Sequence, residues 1–456
     1  MARFRRKSCV TLTALALLIF VITVILKTLT PDDTSAVDAF GLGLFAVKSQ
    51  REEDHLLRNR VNVEIRTRAP HVMTRKVPEE KELSFQSEDH AFPLPNYNMH
   101  VFYYIWYGNP QFDGKFIHWD HPLLPHWDAK VAAGYPKGRH EPPDDIGANF
   151  YPALGAYSSR DPSVIEAHMQ QLRTAAIGVL AVSWYPAGMK DDNGEPVDDI
   201  IPLILEVADK YKVKVVFHIE PYKGRDENSM LENIKYIVDK YGEHPAFFRY
   251  RSPSGKLLPL FYIYDSYLQN PDIWAQMLKT TGKKSIRNTP YDGVFIGLLV
   301  EEKHKKEMLA AGFDGIYTYF ATNGFSYGSS YHNWKSIKDF CDRNNLIFIP
   351  SVGPGYIDTS IRPWNSQNTR NRLNGKYYET SLSAAVATMP QVISITSFNE
   401  WHEGTQIETA IPKTGGQTAY LDYLPHKPAV YLEITRRWAI KFSEEQEKWL
   451  ERQDQL

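Results

Sequence analysis

From residue 97 onward the chain alternates between short apolar, β-branched runs and stretches of helical period, and this alternation limits the folds open to it. Eight runs have strand character: 99–105, 178–184, 213–220, 258–265, 293–300, 315–321, 346–352 and 391–398. Between them the spacing predicts helices near 161–176, 198–211, 227–241, 271–280, 301–312, 331–344 and 376–388. A last helix over 427–452 carries Ile434, Trp438 and Phe442 on one face. Asp161 before Pro162 and Asn270 before Pro271 read as N-caps. Continuous apolar strands separated by helices indicate a parallel sheet buried on both faces. Eight βα units over ~350 residues imply an α/β chain closed as a (β/α)8 TIM-type barrel, assigned to 97–456. A doubly wound open sheet is the rival, and the even count of eight favours closure.

The N-terminus is of another kind. Arg3, Arg5, Arg6 and Lys7 precede an uncharged apolar run from Cys9 to Leu26, closed by Lys27. Its 18 residues just span a bilayer core of about 30 Å at 1.5 Å per residue. A cleaved signal peptide would end in small residues, whereas Ile25, Leu26 and Lys27 stand here. The expected layout is a cytoplasmic tail (1–8), a transmembrane signal anchor (9–27), a charged, proline-bearing stem (28–96) and the barrel. Basic residues ahead of the span place the rest of the chain across the membrane, a single-pass type II arrangement. The two cysteines, Cys9 and Cys341, form no internal disulfide framework. A net charge of −2 gives no nucleic-acid footprint. Aromatics make up 13% of the chain, with 27 Tyr and 10 Trp. Flat rings stack on the apolar faces of sugars, which tilts the reading towards carbohydrate.

In such a barrel the residues at the carboxyl ends of strands converge on one mouth. Those ends offer Tyr103, Tyr104 and Trp106; Trp184 and Tyr185; His218, Glu220 and Tyr222; Tyr264, Asp265 and Tyr267; and Tyr317 and Tyr319. The eighth offers Asn399, Glu400, Trp401, His402 and Glu403. Carboxylates, rings and an amide are what glycoside hydrolysis needs for proton transfer, stacking and hydroxyl recognition. Glu220 and Asp265 could equally cap helices or pair with arginine. Glu400 and Glu403 are the stronger pair. Three residues apart on a helical turn, their Cβ atoms lie about 5–6 Å apart, and each raises the other's proton affinity. Residues 106–160 form a long insertion rich in Trp and His, too aromatic for disorder and too long for a plain connection. No H-E-x-x-H or C-x-x-C occurs, so no metal and no cofactor are expected. The string SVGPGYIDTS (351–360) lacks a P-loop lysine; it reads as a mobile loop rimming the mouth.

Longer strings carry a family likeness. FYYIWYGNP (102–110), IHWDHPLLPHWD (117–128), PPDDIGANFYP (142–152), SWYPAGMKDDNGE (183–195), HIEPYKGR (218–225), RNTPYDGVFIG (287–297), PSVGPGYIDTSIRPWN (350–365) and SFNEWHEGTQIE (397–408) resemble the endo-α-1,2-mannosidase family of glycoside hydrolases, family 99. The likeness covers about 97–440. It implies a (β/α)8 enzyme that cuts glucosylated high-mannose N-glycans internally, with retention and without a metal. The products would be glucosyl-α-1,3-mannose and its di- and triglucosylated forms. By the same resemblance Glu400 takes the proton of the mannose 2-hydroxyl, which attacks the anomeric carbon and forms a 1,2-anhydro intermediate. The axial 2-hydroxyl of mannose lies opposite the departing α-oxygen, which makes that attack available. Glu403 would protonate the leaving oxygen and later activate water. Tyr185 would sit towards the glucose-binding end, with Glu220 and Tyr319 lining the cleft. Tyr104, Trp184, His218, Asn399 and Trp401 complete the expected substrate-binding set. The resemblance further implies a Golgi membrane enzyme with a lumenal barrel. A non-catalytic lectin-like barrel, the paralogous endomannosidase-like protein and a structural scaffold are the alternatives; oligomeric state and preferred glucose count stay open.

Overall fold

The computed structural model describes residues 92–252, 255–413 and 419–454. The expected tail and membrane anchor, and the stem up to residue 91, lie outside the described residues. No helix among the described residues is long and apolar enough to cross a membrane. Of the expected stem, residues 92–96 are seen against the barrel. Arg173 donates to the Pro93 carbonyl at 2.6 Å, and the Phe92 ring meets Tyr211 edge-on.

The strands are β1 (Asn96–Tyr103), β2 (Ile177–Trp184), β3 (Lys214–Ile219), β4 (Leu257–Ile263), β5 (Val294–Leu298), β6 (Gly315–Tyr317), β7 and β8 (Ile393–Ile395). β7 comes in two pieces, Ile347–Ile349 and Ser351–Val352, because Pro350 has no N–H to give the ladder. The interruption is used to close the ring. The first piece pairs with β6, the second with β8, and β8 pairs with β1 through Met99↔Ile393. Every barrel pairing is parallel.

Each strand is followed by its helix: α1 (Pro162–Thr174), α2 (Ile201–Lys210), α3 (Glu227–Tyr241), α4 (Pro271–Leu278), α5 (His304–Ala311), α6 (Trp334–Arg343), α7 (Lys376–Ala387) and α8 (Val430–Asp454). The caps read from sequence are in place. Asp161 accepts from Ser163 N and Asn270 from Asp272 N, both at 2.8 Å, and each helix opens on a proline whose missing N–H costs nothing there. Strand β2 is buried at all eight positions, as a strand covered on both faces must be. On α8, Ile434 and Phe442 are buried.

Candidate active site

The barrel is filled with rings. Phe102 (β1), His218 (β3), Tyr262 (β4) and Tyr317 (β6) meet at its centre, with centroids 4.7 Å apart for Phe102–His218 and 5.0 Å for Tyr262–Tyr317. Strand side chains alternate between faces, so the next inward positions on these strands form a layer nearer the mouth. That layer contains Tyr104, Glu220, Tyr264 and Tyr319. Tyr319 stacks on His218 at 5.6 Å and 10°, and its hydroxyl is hydrogen-bonded to that of Tyr104. Its backbone is held at φ +51°, a strained value for a tyrosine. Glu220 accepts from Ser183 Oγ and from His218 Nδ1, each at 2.8 Å. The other nitrogen, Nε2, then accepts from the Tyr317 hydroxyl at 2.9 Å.

Onto this layer the segment after β8 folds back as a tight turn. Ser397 N donates to Thr405 O and Ile407 N to Ser397 O, both at 2.9 Å. The Ser397 hydroxyl accepts from Glu400 N at 2.8 Å. Gly404 has φ +60°, and a Cβ there would lie 2.6 Å from Ile357 Cγ2, so the turn needs glycine. Within it Glu403 N donates to Glu400 Oε2 at 2.5 Å. Both carboxyls thus share one small enclosure: Glu400 is 4% exposed, while Glu403 is half-buried.

The electrostatics follow from that enclosure. Burial holds the Glu400 carboxyl well above the usual range, and the neighbouring Glu403 adds to it. Burial also lifts Glu403, to about 7, against the pull of Arg362, whose Nη1 is 3.8 Å from Glu403 Oε1. Two carboxyls so placed keep a proton between them near neutral pH. The Tyr104 hydroxyl is pushed up by burial, then by the charges of Glu220, Glu400 and Glu403, which marks these acids as facing one space.

Of the expected substrate-contacting residues, Tyr104, His218, Glu220 and Tyr319 are brought together with Glu400 and Glu403. Tyr185 is half-buried at the carboxyl end of β2. Three others are not at the cleft. Trp184 is fully buried and points into the helix layer, where its indole donates to Asp198 Oδ1 at 2.9 Å. The reason is parity: Ser183 takes the inward position on β2, so its neighbour faces out. Asn399 is fully buried and bonds both the N and O of Tyr104 at 2.8 Å, pinning the end of β8 to that of β1. Trp401 is fully buried beneath the turn, its indole donating to Glu408 Oε2 at 3.0 Å.

The 351–360 loop rims the mouth, but it is clamped rather than loose. Tyr356 and Arg370 exchange backbone hydrogen bonds, and Ile357 N donates to Glu403 O at 2.8 Å. Fully buried Asp358 accepts from Tyr356, Arg362 and Asn365. Sequence reasoning missed Asp358 and Arg362 as site residues, although the string containing them had stood out. It also missed Arg372, which donates to the Gly404 and Gln406 carbonyls at 2.9 and 2.7 Å. The Arg372 guanidinium sits among the rings of Phe150, Tyr423 and Tyr431. An arginine carries no sign in sequence of which distant carbonyls it will hold.

A closed (β/α)8 barrel whose mouth gathers two proton-sharing carboxyls, a third carboxylate and a wall of tyrosines is built for glycoside hydrolysis. The comparisons agree. Residues 93–444 match "Glycosyl hydrolase family 99". The chain is 59% identical over 458 aligned positions to "Glycoprotein endo-alpha-1,2-mannosidase" of Xenopus laevis, covering 99% of this chain and 100% of that one. It is 66% identical over 353 positions to the human "Glycoprotein endo-alpha-1,2-mannosidase-like protein", 77% of each chain. Among solved structures it is similar to the GH99 endo-alpha-mannosidase from Bacteroides thetaiotaomicron, with TM-score 0.71 and 46% identity over 78% of this chain and 100% of that one. The chain belongs to glycosyl hydrolase family 99.

Proposed function

We propose that this protein is an endo-acting retaining glycosidase that cleaves an internal α-1,2-mannosidic bond of glucosylated high-mannose N-glycans. One observation carries the reading: Glu400 and Glu403 lie on one glycine-closed turn at the carboxyl end of β8, both pushed up by burial, against a wall that includes Tyr104, Tyr319 and Glu220. The names of the relatives supply the mannosidic bond. In the proposed reaction Glu400 takes the proton from the 2-hydroxyl of the mannose at the cleavage point. That oxygen attacks the anomeric carbon as Glu403 gives its proton to the departing oxygen. A 1,2-anhydro sugar and a free aglycone result. Glu403, now a carboxylate, takes a proton from water, which opens the anhydro ring at the anomeric carbon, and Glu400 returns its proton to the 2-oxygen. Two inversions give retention.

The Glu403 N–H on Glu400 Oε2 favours an ionised Glu400, as a base requires. Burial and the Glu403 charge still hold Glu400 well above the usual carboxylate range, so the pair keeps one proton between them, and the reaction starts from the form in which that proton is on Glu403. Tyr185 and Glu220 are assigned to the glucosyl-mannose side. We further propose that residues 9–27 anchor the enzyme as a single-pass type II protein of the Golgi membrane, with 1–8 cytosolic, 28–96 a stem and 97–456 the lumenal barrel; the basic-then-apolar N-terminus supports this.

Incubating the 92–456 fragment with monoglucosylated high-mannose glycan and weighing the products tests the reaction. Release of one glucosyl-mannose disaccharide is expected; glycan retained without any cleavage favours a lectin-like barrel instead. Glu403→Gln should lose activity on that glycan by about 10²–10⁴-fold. It should recover part of it on a substrate with an activated leaving group, which needs no proton. Unchanged turnover of the glycan would remove Glu403 from the acid role.

A further inference from the structure

We infer that Arg372 is a positioning residue for the turn that carries Glu400 and Glu403: its guanidinium locks the glycine next to Glu403 and so keeps that carboxyl aimed at the cleavage point. The inference rests on the glycosidase reading above, in which Glu403 is the acid, and adds the group that holds the acid in place.

The need for a lock comes from the sequence. Gly404 follows Glu403 directly and stands at φ +60°. A glycine enters that conformation without steric cost and leaves it as easily, because no Cβ favours one basin over another. The direction of the Glu403 side chain therefore depends on what holds the two peptide planes around Gly404. The plane before it is held from both edges: Ile357 N donates to Glu403 O at 2.8 Å, and Gly404 N to Trp401 O at 3.2 Å. In the plane after it, Thr405 N reaches Glu400 O at a long 3.3 Å. The firm contact there is from Arg372, whose Nη2 donates to the Gly404 carbonyl at 2.9 Å. The same nitrogen donates to the Gln406 carbonyl at 2.7 Å, so it ties together the residues on either side of Thr405.

What holds the arginine is equally specific. Its guanidinium carbon lies 4.4 Å from the ring centroid of Tyr431, 4.7 Å from Phe150 and 5.0 Å from Tyr423. Its Nε and Nη1 are buried and find no hydrogen-bond partner among the described residues. Burying a cation is costly; ring faces offset part of that cost, and the hydrogen bonds it makes go to the turn. A lysine could not do both, because a compact ammonium has no plane to stack and no fork. The rings come from three parts of the chain: Phe150 from the 106–160 insertion, Tyr423 from the loop before α8, and Tyr431 from α8. Insertion and last helix thus act on the turn through one side chain. A cleft of 360 Å³, lined by these rings, Asn371, Asn374 and Arg372 itself, lies alongside. It gives a small solute a way in once the side chain is removed.

The test uses that cleft. On monoglucosylated high-mannose glycan, kcat of Arg372→Ala should fall about 10²-fold, the cost of an acid displaced by about 1 Å, with KM little changed. Arg372→Lys keeps the charge and should regain only a small part. Ethylguanidinium, which replaces the atoms removed in Arg372→Ala, should restore much of the lost kcat. Ethylammonium, with the same charge and no fork, should not. Thermal melts report that each variant is folded. A folded Arg372→Ala with wild-type kcat, a loss confined to KM, or equal rescue by the two cations overturns the inference and leaves the glycosidase reading standing. So does the absence of any rescue. If Arg372→Ala does not fold, Arg372→Lys decides: reduced kcat at unchanged KM supports the role, and wild-type kcat overturns it. Failure of both to fold assigns Arg372 to stability alone and overturns it too. Wild type inactive on the glycan removes the glycosidase reading and this role with it.

Discussion

Glu400 and Glu408 sit eight residues apart on one segment, both buried, and their surroundings could hardly differ more. Glu408 is fully buried with a full set of donors: His168 at 3.1 Å, Tyr157 OH at 2.9 Å and Trp401 Nε1 at 3.0 Å. Among the described residues the Glu400 carboxyl has the single N–H of Glu403, and it faces that residue's carboxyl. A buried acid surrounded by donors is a structural fixture; one left with a like-charged neighbour is held ready to take or give a proton. The pairing matters in space too, because Glu408 holds Trp401 beneath the turn that carries Glu400 and Glu403.

If the contrast is right, the largest effect is on chemistry. Glu400→Gln keeps the volume and removes the base. Activity should fall about 10²–10⁴-fold, and on an activated leaving group as well, because the 2-hydroxyl must be deprotonated whatever departs. A rate on an activated substrate close to that of wild type would take the base role from Glu400. Stability should move the other way. The Glu400 carboxyl is held above its ordinary value, so the stability it allows is fully present at low pH. That stability is lost as pH rises from the unfolded carboxyl value towards the folded one. Thermal melts of Glu400→Gln should therefore exceed wild type, and by more at pH 8 than at pH 5.

Glu408→Gln should do the opposite at the bench. It turns acceptors into a mixed amide that cannot serve His168, Tyr157 and Trp401 together. The expected cost is about 1–3 kcal/mol, read as a lower melting temperature, with activity falling only as far as the turn above shifts. A Glu408→Gln variant as stable as wild type would mean that the donors around it are not what fixes the segment.

The barrel was legible because its signals are local and repeated. Eight runs and eight helices fell where period and capping put them, and Pro350, which splits β7, was visible in the string. The meeting of Glu400 and Glu403 was legible because acids three residues apart on one turn fall on the same side of it. Trp184 was misplaced because one residue of register decides which face a strand residue takes, and Ser183 had the inward one. Asn399 and Trp401 stood among polar neighbours, yet their use is to hold Tyr104 and Glu408. Such partners lie some 295 residues away for Asn399 and cannot be read from a local pattern. Arg362 and Arg372 were missed for the same reason: each acts on a carboxylate or carbonyl from another loop.

The smallest expected effect is a shift in pH dependence, and it asks how Arg362 is kept from emptying Glu403. The groups around the Glu403 carboxyl are Glu400, Arg362 and Asp358, with the Tyr104, Tyr264, Tyr319 and Tyr356 hydroxyls sensing its charge. Glu403 stands at about 7. Catalysis that needs its proton should decline as pH rises through that value, giving kcat/KM an alkaline limb near 7 that belongs to the coupled pair. Asp358 bonds Arg362 Nη1 at 3.1 Å, closer than the 3.8 Å to Glu403. It thereby draws the cation's field to itself, and its own charge opposes ionisation of Glu403 as well. Asp358→Asn removes both influences, and both changes favour the Glu403 carboxylate. The alkaline limb should move to lower pH, while Arg362→Gln should move it to higher pH. The two shifts have opposite signs, so a general loosening of the loop cannot produce both. A limb that stays in place in Asp358→Asn would show that Glu403 is set by burial and Glu400 alone, which would bring the working pair closer to Glu408 than the contrast allows.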